Sequence, residues 1–424
     1  MARADDNLGG GLEPSLTAAS RITLHELVIR PEAEDWIVGR VELEEFVAIP
    51  QLGVRAIRLL SDGHTVNETR QRLESEDDDA IEVLSFVEQL RELGFLKAID
   101  GIVVDGARDE IASSLPWIRP RFVGWLFSGS LRAVYAGLCA VALVTMGLRP
   151  SLLPRYGDLF ISRSTTTVVV ADTAISLALM GLHELAHLVA ARSLGVPARI
   201  SWGTRLFDLV AQTSMPGVWA VSRRERMRCY LAGLAFEAVL ASVVIIVLAA
   251  ANLHGAAGRT GSAIVALILL GFLMQLLVFK RTDVYFVVAD LIGARNLHDD
   301  ACRYLLTRLR VLVSRARRRA PPASPAQLGL MDRREYRLVR GYAWFMVAGS
   351  AASAAGLAAY IVPAIATLFA RSRVELMTGI SHQDYVAAAD AATSMAILCG
   401  SWILFLIVFI RSRGAWWRRL HRTG

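Results

Sequence analysis

Charge is scarce in this chain. Of its 424 residues only 20% are Asp, Glu, Lys or Arg, while 54% are apolar. A soluble domain carries roughly 25% charged and 45–50% apolar residues. The shortage excludes a wholly soluble, disordered or collagen-like chain and makes a membrane protein the default. Cysteine is scarce too. Cys139, Cys229, Cys302 and Cys399 form no Cys-x-x-Cys pair, which excludes a zinc knuckle or dithiol motif; they read as reduced packing residues. The start of the chain lacks a basic stretch followed by an apolar run. No signal peptide is therefore expected, and the N-terminus is expected in the cytoplasm.

The charge that is present is divided. Residues 1–110 hold 24 acidic and 11 basic side chains, a net of −13, and residues 111–424 hold 15 and 35, a net of +20. The basic excess thus lies in the apolar part, where loop charge sets topology. The acidic N-terminal part lacks the basic face of a DNA reader, so no nucleic-acid partner is expected.

Residues 1–20 are rich in Gly, Ala and Ser and read as a disordered start. Residues 21–110 read as a small α+β domain, winged-helix-like. Alternating apolar residues from Ile22 to Ile49 predict short strands broken by Pro31 and Gly39. Residues 53–60 predict a helix ending at Asp62-Gly63. Thr65 with Glu68 predicts a capping box for a second helix reaching Leu73. After an acidic turn from Glu74 to Asp79, Ile81, Leu84, Val87 and either Leu90 or Arg91 mark the face of a third.

Residues 111–129 carry Pro116, Trp117, Pro120, Phe122, Trp125 and Phe127 and read as an interfacial linker, since Trp and Phe favour the headgroup level. Six apolar runs follow, each near the ~20 residues that cross a bilayer. They fall at 130–148, 166–191, 229–252, 261–279, 342–369 and 393–411. Residues 284–314 are amphipathic and are a candidate partial membrane helix. Residues 130–300 read as the membrane core and 301–340 as a basic cytoplasmic loop. Residues 341–424 read as two further spans with a basic tail. The expectation is a mainly α polytopic membrane protein of about six transmembrane helices with a small N-terminal domain. Loop charge supports it: seven Arg in 192–228, 14 Lys or Arg in 280–340 and five Arg in 411–424 fall on one side. Both termini are then cytoplasmic, in a cell membrane.

Chemistry concentrates in the second span, which contains Leu182-His183-Glu184-Leu185-Ala186-His187. Positions i and i+4 share a helix face, so His183 and His187 can bind one zinc, with Glu184 placed to take a proton from water. Three ionisable residues inside an apolar span are costly and need a compensating partner. A catalytic zinc takes a third protein ligand and keeps one position open. Asp283, where the chain returns to the cytoplasmic side after the fourth span, is the candidate; Asp290 is a backup and His298 a weaker one. Glu237 sits at a depth in the third span similar to that of the histidines. It is a candidate to orient a ligand, to hold substrate backbone, or to play a structural part. Asp172, eleven residues before His183, shares the histidine face nearer the outer side and is expected to line a polar cavity. Alternating stretches over 198–221, with a turn at Pro216-Gly217, predict a β-hairpin whose edge an extended substrate can join, or else a re-entrant loop.

These residues carry two resemblances. Residues 166–300 resemble the site-2 protease family of intramembrane zinc metalloproteases, most closely its bacterial peptide zinc metalloprotease branch. The similarity rests on His183-Glu184-x-x-His187 and on Asp283-Val284-Tyr285 through Arg295-Asn296-Leu297. It implies zinc on His183, His187 and Asp283, with Glu184 as catalytic base. Val284 stands where the motif has Gly, Glu237 where the third helix has Asn, and Gln275 is the nearest amide before Asp283. Gln275 is thus a candidate supporting or substrate-contacting residue beside Glu237.

Residues 22–100 resemble PqqD-like domains, through Leu60-Ser61-Asp62-Gly63, Thr65-Val66 and Leu93-Gly94-Phe95-Leu96. That similarity implies binding of a ribosomal precursor peptide, with peptide-modifying enzymes as further partners. The combined expectation is a membrane zinc metallopeptidase that removes a leader or trims such a peptide. The alternatives are a non-proteolytic peptide-binding or export partner and an intramembrane protease of a signalling protein.

Overall fold

The computed structural model describes residues 15–32, 35–43, 45–75, 82–104, 113–162, 164–205, 208–294, 296–316, 333–356, 358–359 and 362–422. Residues 1–14, most of the acidic turn, Ile81, Leu206-Phe207, Arg295 and the segment 317–332 lie outside it. The chain divides into two compact units. One comprises Met1–Val123, Ala191–Arg199 and Ser214–Arg226, and the other Gly124–Ala190, Ile200–Thr213 and Met227–Gly424.

In the first unit, β2 (Val28–Glu32), β3 (Asp35–Arg40) and β4 (Glu45–Ile49) form an antiparallel meander, with Val38 opposite Ile29 and Val47. A second sheet runs β1 (Ile22–Leu24), β5 (Leu96–Ile99), β6 (Ile102–Val103). Helices α1 (Gln51–Ser61), α2 (Val66–Glu74) and α3 (Val83–Glu92) pack between them. Local chemistry sets their ends. Gly63 takes a left-handed φ of +88° just past α1, a conformation open to glycine. Thr65 and Glu68 form the expected capping box, the Glu68 amide donating to Thr65 Oγ1 and the Thr65 amide to Glu68 Oε2. The buried face of α3 is Val83, Val87 and Leu90, while Leu84 is exposed. Val87 and Leu90 are thus as expected, Val83 takes the place of Leu84, and Ile81 lies outside the described residues. Val38, Ile57, Leu60, Val87, Leu90, Phe95 and Ile99 form the core.

Four helices among the described residues are long and apolar enough to cross a membrane: α4 (Gly129–Leu148), α5 (Thr165–Ser193), α6 (Arg223–Ala250) and α7 (Gly255–Gln275). Much of their apolar surface is uncovered, including Val141, Leu143 and Leu148 on α4. A helix satisfies its own backbone polar groups, so such a surface suits lipid.

The expected count of about six is not confirmed among the described residues. The run 342–369 falls on α10 (Arg333–Gly356) and α11 (Val362–Ser381), which has Pro363 in its first turn; residues 357, 360 and 361 between them lie outside the described residues. Proline is tolerated there. The run 393–411 lies within α12 (Tyr385–Arg422), of which Tyr385–Gly400 is a shorter apolar stretch. The amphipathic segment 284–314 likewise splits, at Gly293 (φ +76°), into α8 (Asp283–Ile292) and α9 (Leu297–Ala316). In the linker, Trp117, Phe122 and Trp125 are exposed.

The expected hairpin is present as β7 (Arg199–Arg205) paired with β8 (Asp208–Ser214). Pro216-Gly217 does not lie between the two paired strands, which are separated by residues 206–207, outside the described residues. Pro216 instead opens a 3-10 turn, Pro216–Ala220, where its fixed φ suits a first helical position.

Candidate metal centre

Two histidines one turn apart on α5 face the start of α8. Nε2 of His183 lies 3.1 Å from Nε2 of His187, and Oδ2 of Asp283 lies 2.8 Å from the first and 3.2 Å from the second. These three atoms form a nearly equilateral triangle. They are the donor group among the described residues spaced to share a metal ion. A tetrahedral zinc with bonds of about 2.0–2.1 Å holds its donors about 3.3 Å apart, close to the triangle seen here.

The remaining ring nitrogens are held from behind. Nδ1 of His187 donates to the Cys229 carbonyl at 2.7 Å, and Nδ1 of His183 faces Glu237 Oε1 at 3.1 Å. A carbonyl only accepts, so His187 carries its proton on Nδ1 and turns the Nε2 lone pair toward the site. Such support fixes the tautomer and raises ligand basicity. Cys229, Gly233 and Glu237 recur every four residues on α6 and form the stripe that meets the imidazoles. Gly233 is where the His183 ring comes closest: a Cβ there would lie 2.4 Å from Nε2.

Asp283 is placed by the turn before it. Arg281 adopts a left-handed conformation (φ +56°), which folds the chain back so that Asp283 opens α8. A non-glycine residue there costs of order 1–3 kcal/mol and persists when its surroundings fix it. Here Arg281 lies 3.6 Å from Asp299, and the Thr282 hydroxyl donates to the Gln275 carbonyl at 2.7 Å. A carboxylate at a helix N-terminus is favoured by the dipole. Gln275 brackets the same residue. Its Nε2 donates to Asp283 Oδ2 at 3.1 Å, and its Oε1 accepts from the Asp283 amide at 2.9 Å. Burial by itself would raise the Asp283 carboxyl; the His187 and His183 imidazoles outweigh it and hold the group well below the usual carboxylate range. Val284 sits inside α8, outside the left-handed region, so that backbone does not require a glycine.

Glu184 is buried beside its two histidines. The Thr213 hydroxyl of β8 donates to its Oε2 at 2.7 Å and to its main-chain carbonyl at 3.0 Å.

The other candidates lie outside the donor triangle. Asp290 is buried on α8, about 10 Å along the helix from Asp283. His298 belongs to an aromatic cluster. Its amide donates to the Tyr285 hydroxyl at 3.0 Å, its ring packs against Tyr285 and Tyr342, and Cys302 Sγ lies 3.6 Å from Nε2. Burial and the nearby Arg281 push its imidazole down, toward the neutral form. Asp172 lies about 16 Å along α5 from His183. Its buried Oδ1 has no hydrogen-bond partner.

Local sequence gave no sign of the roles of Thr213 and of the Cys229 carbonyl. The four-residue spacing of Gly233 from Glu237 was legible in the sequence; its approach to the His183 ring was not. No protein-family model, curated protein or solved structure matches the chain.

Proposed function

We propose that this chain is a membrane-embedded zinc metallopeptidase. The observation that carries the reading is the donor triangle of His183, His187 and Asp283, two of its members on a helix apolar enough to span a membrane, where Glu184 directly follows His183 in sequence. Two imidazoles and one carboxylate are a ligand set typical of catalytic zinc. Zinc bound there supplies a Lewis acid that polarises a peptide carbonyl and lowers the pKa of a bound water.

The chain's own residues do the rest. Cys229 and Glu237 hold the imidazoles in the tautomer that presents Nε2, and Gln275 fixes the rotamer of Asp283. Glu184 takes the proton of the attacking water and delivers it to the nitrogen of the departing amine as the C–N bond breaks. The apolar surroundings keep the site dry, which strengthens each of these interactions.

The substrate we propose is a ribosomal precursor peptide, from which the enzyme removes a leader or trims a segment. The acidic N-terminal domain, PqqD-like in its turn and helix motifs, recruits it, with peptide-modifying enzymes as partners. The protein sits in the cell membrane with both termini in the cytoplasm, in keeping with its basic loops.

The test is metal content of the purified full chain, prepared without chelators. Wild type and Glu184→Gln are expected to hold about one zinc per chain, and Asp283→Ala to lose it, since all three protein ligands are needed to retain the ion. A wild type that holds no zinc and takes none up overturns the reading.

A further inference from the structure

The hairpin β7–β8 does more than follow the metal-binding helix. Strand β8 is fastened to α5 at two points. The Ala211 amide donates to Met180 Sδ at 3.5 Å, and the Thr213 hydroxyl reaches Glu184. The strand therefore runs beside the turn of α5 that carries His183 and Glu184. At the second point a single hydroxyl proton faces two acceptors of one residue, Oε2 at 2.7 Å and the carbonyl oxygen at 3.0 Å. A glutamate side chain has three torsions, and burial alone does not choose among their rotamers. A donor shared between the carboxylate and its own backbone selects the rotamer that folds the carboxylate back toward the helix.

We propose that Thr213 is a positioning residue for Glu184, so that the hairpin sets where the proposed base points. This rests on the metallopeptidase reading above. Thr213 acts through Glu184 and touches none of the three donors. A threonine that merely tied β8 to α5 would need only the backbone carbonyl. The shorter contact is the one to the carboxylate, and that contact makes the residue specific to Glu184.

The experiment uses the full chain loaded with Co2+ in place of zinc. The visible d–d spectrum of Co2+ at fixed pH reports the groups around the ion. Thr213→Val removes the donor and keeps the shape. It is expected to bind Co2+ at the wild-type stoichiometry with a shifted spectrum. Thr213→Ser is expected to restore the wild-type spectrum. In a Glu184→Gln background, adding Thr213→Val is expected to cause a much smaller shift than it does in wild type. Equal shifts in the two backgrounds would show that the hydroxyl acts through the backbone alone and would overturn the proposal. So would a Thr213→Val spectrum that superimposes on wild type. Should Thr213→Val fail to fold, Thr213→Ala replaces it; if neither folds while Thr213→Ser does, the hydroxyl is a fold element and the proposal is overturned. A wild type that takes up no Co2+ overturns the metallopeptidase reading itself, and the proposal with it, which is an outcome distinct from bound Co2+ with an unmoved spectrum.

Discussion

The imidazole of His183 is held between two carboxylates, with Glu237 Oε1 3.1 Å from its Nδ1 and Asp283 Oδ2 2.8 Å from its Nε2. The first carboxylate decides what the second side of the ring presents. By accepting the Nδ1 proton, Glu237 leaves Nε2 with its lone pair and makes it a stronger donor. Glu237→Ala is therefore expected to weaken zinc binding by about 10–100-fold, as loss of such supporting partners does. Glu237→Gln is expected to cost less, because its amide oxygen still accepts the proton although the charge is gone. Competition with a chromophoric chelator measures both. Unchanged affinity in Glu237→Ala would show that Glu237 does not orient the ring.

Gly233 supplies the second prediction. By helix propensity alone, Gly→Ala inside a helix gains about 1 kcal/mol. Here the added Cβ would stand 2.4 Å from Nε2 and 2.5 Å from Cε1 of His183. The ring, not the end of a flexible chain, would have to move. Gly233→Ala is expected to keep the helical circular dichroism of wild type and to lose most of its zinc. Elemental analysis and dichroism on one sample decide it. Full zinc in a folded Gly233→Ala would mean that the ring and α6 have room to separate.

Much of the framework was legible because it rests on local pattern. Four apolar runs marked α4 to α7, Thr65 and Glu68 marked a capping box, and the spacing of His183 and His187 placed two imidazoles on one face. Where two local patterns compete, sequence misleads. Leu84 fits the same helical period as Val87 and Leu90, yet packing in the core buries Val83 with them and leaves Leu84 exposed. Pro216-Gly217 looked like a hairpin turn because that pair is common in turns, yet proline serves equally well at the first position of a helical turn. What local sequence hid are partners far along the chain. Thr213 reaches Glu184 across 29 positions, and Cys229 reaches His187 across 42. No periodicity encodes such pairs; they exist once the helices have packed.

Another such pair, 194 positions apart, lies in the first unit and gives the last prediction. Arg226, in the first turns of α6, is fully buried, with 0% of its surface exposed. Glu32 of β2 accepts from both of its terminal nitrogens, one contact at 2.9 Å. The Val221 carbonyl accepts at 3.3 Å, and the Trp219 ring lies under the guanidinium at 4.6 Å. The two carboxylate contacts satisfy the planar fork that distinguishes Arg from Lys. Desolvating both charges offsets much of their attraction, so the pair itself adds little stability, whereas removing one partner strands the other. Glu32→Ala should cost about 3–5 kcal/mol locally by leaving a buried guanidinium uncompensated. Replacing both, as Glu32→Leu with Arg226→Met, should recover most of that loss, since an apolar pair of similar volume is often neutral. A single melting temperature is ill-defined for a chain of two units, so the readout is local. Hydrogen exchange on the full chain in detergent should show faster exchange at residues 28–32 and 214–226 in Glu32→Ala. The double variant should return toward wild-type protection. If Glu32→Ala leaves protection in both segments unchanged, water reaches Arg226 readily and the guanidinium is not held as a desolvated charge. The double variant would then have no loss to repair, and its protection would fall on the side of whichever residue packs better against Trp219.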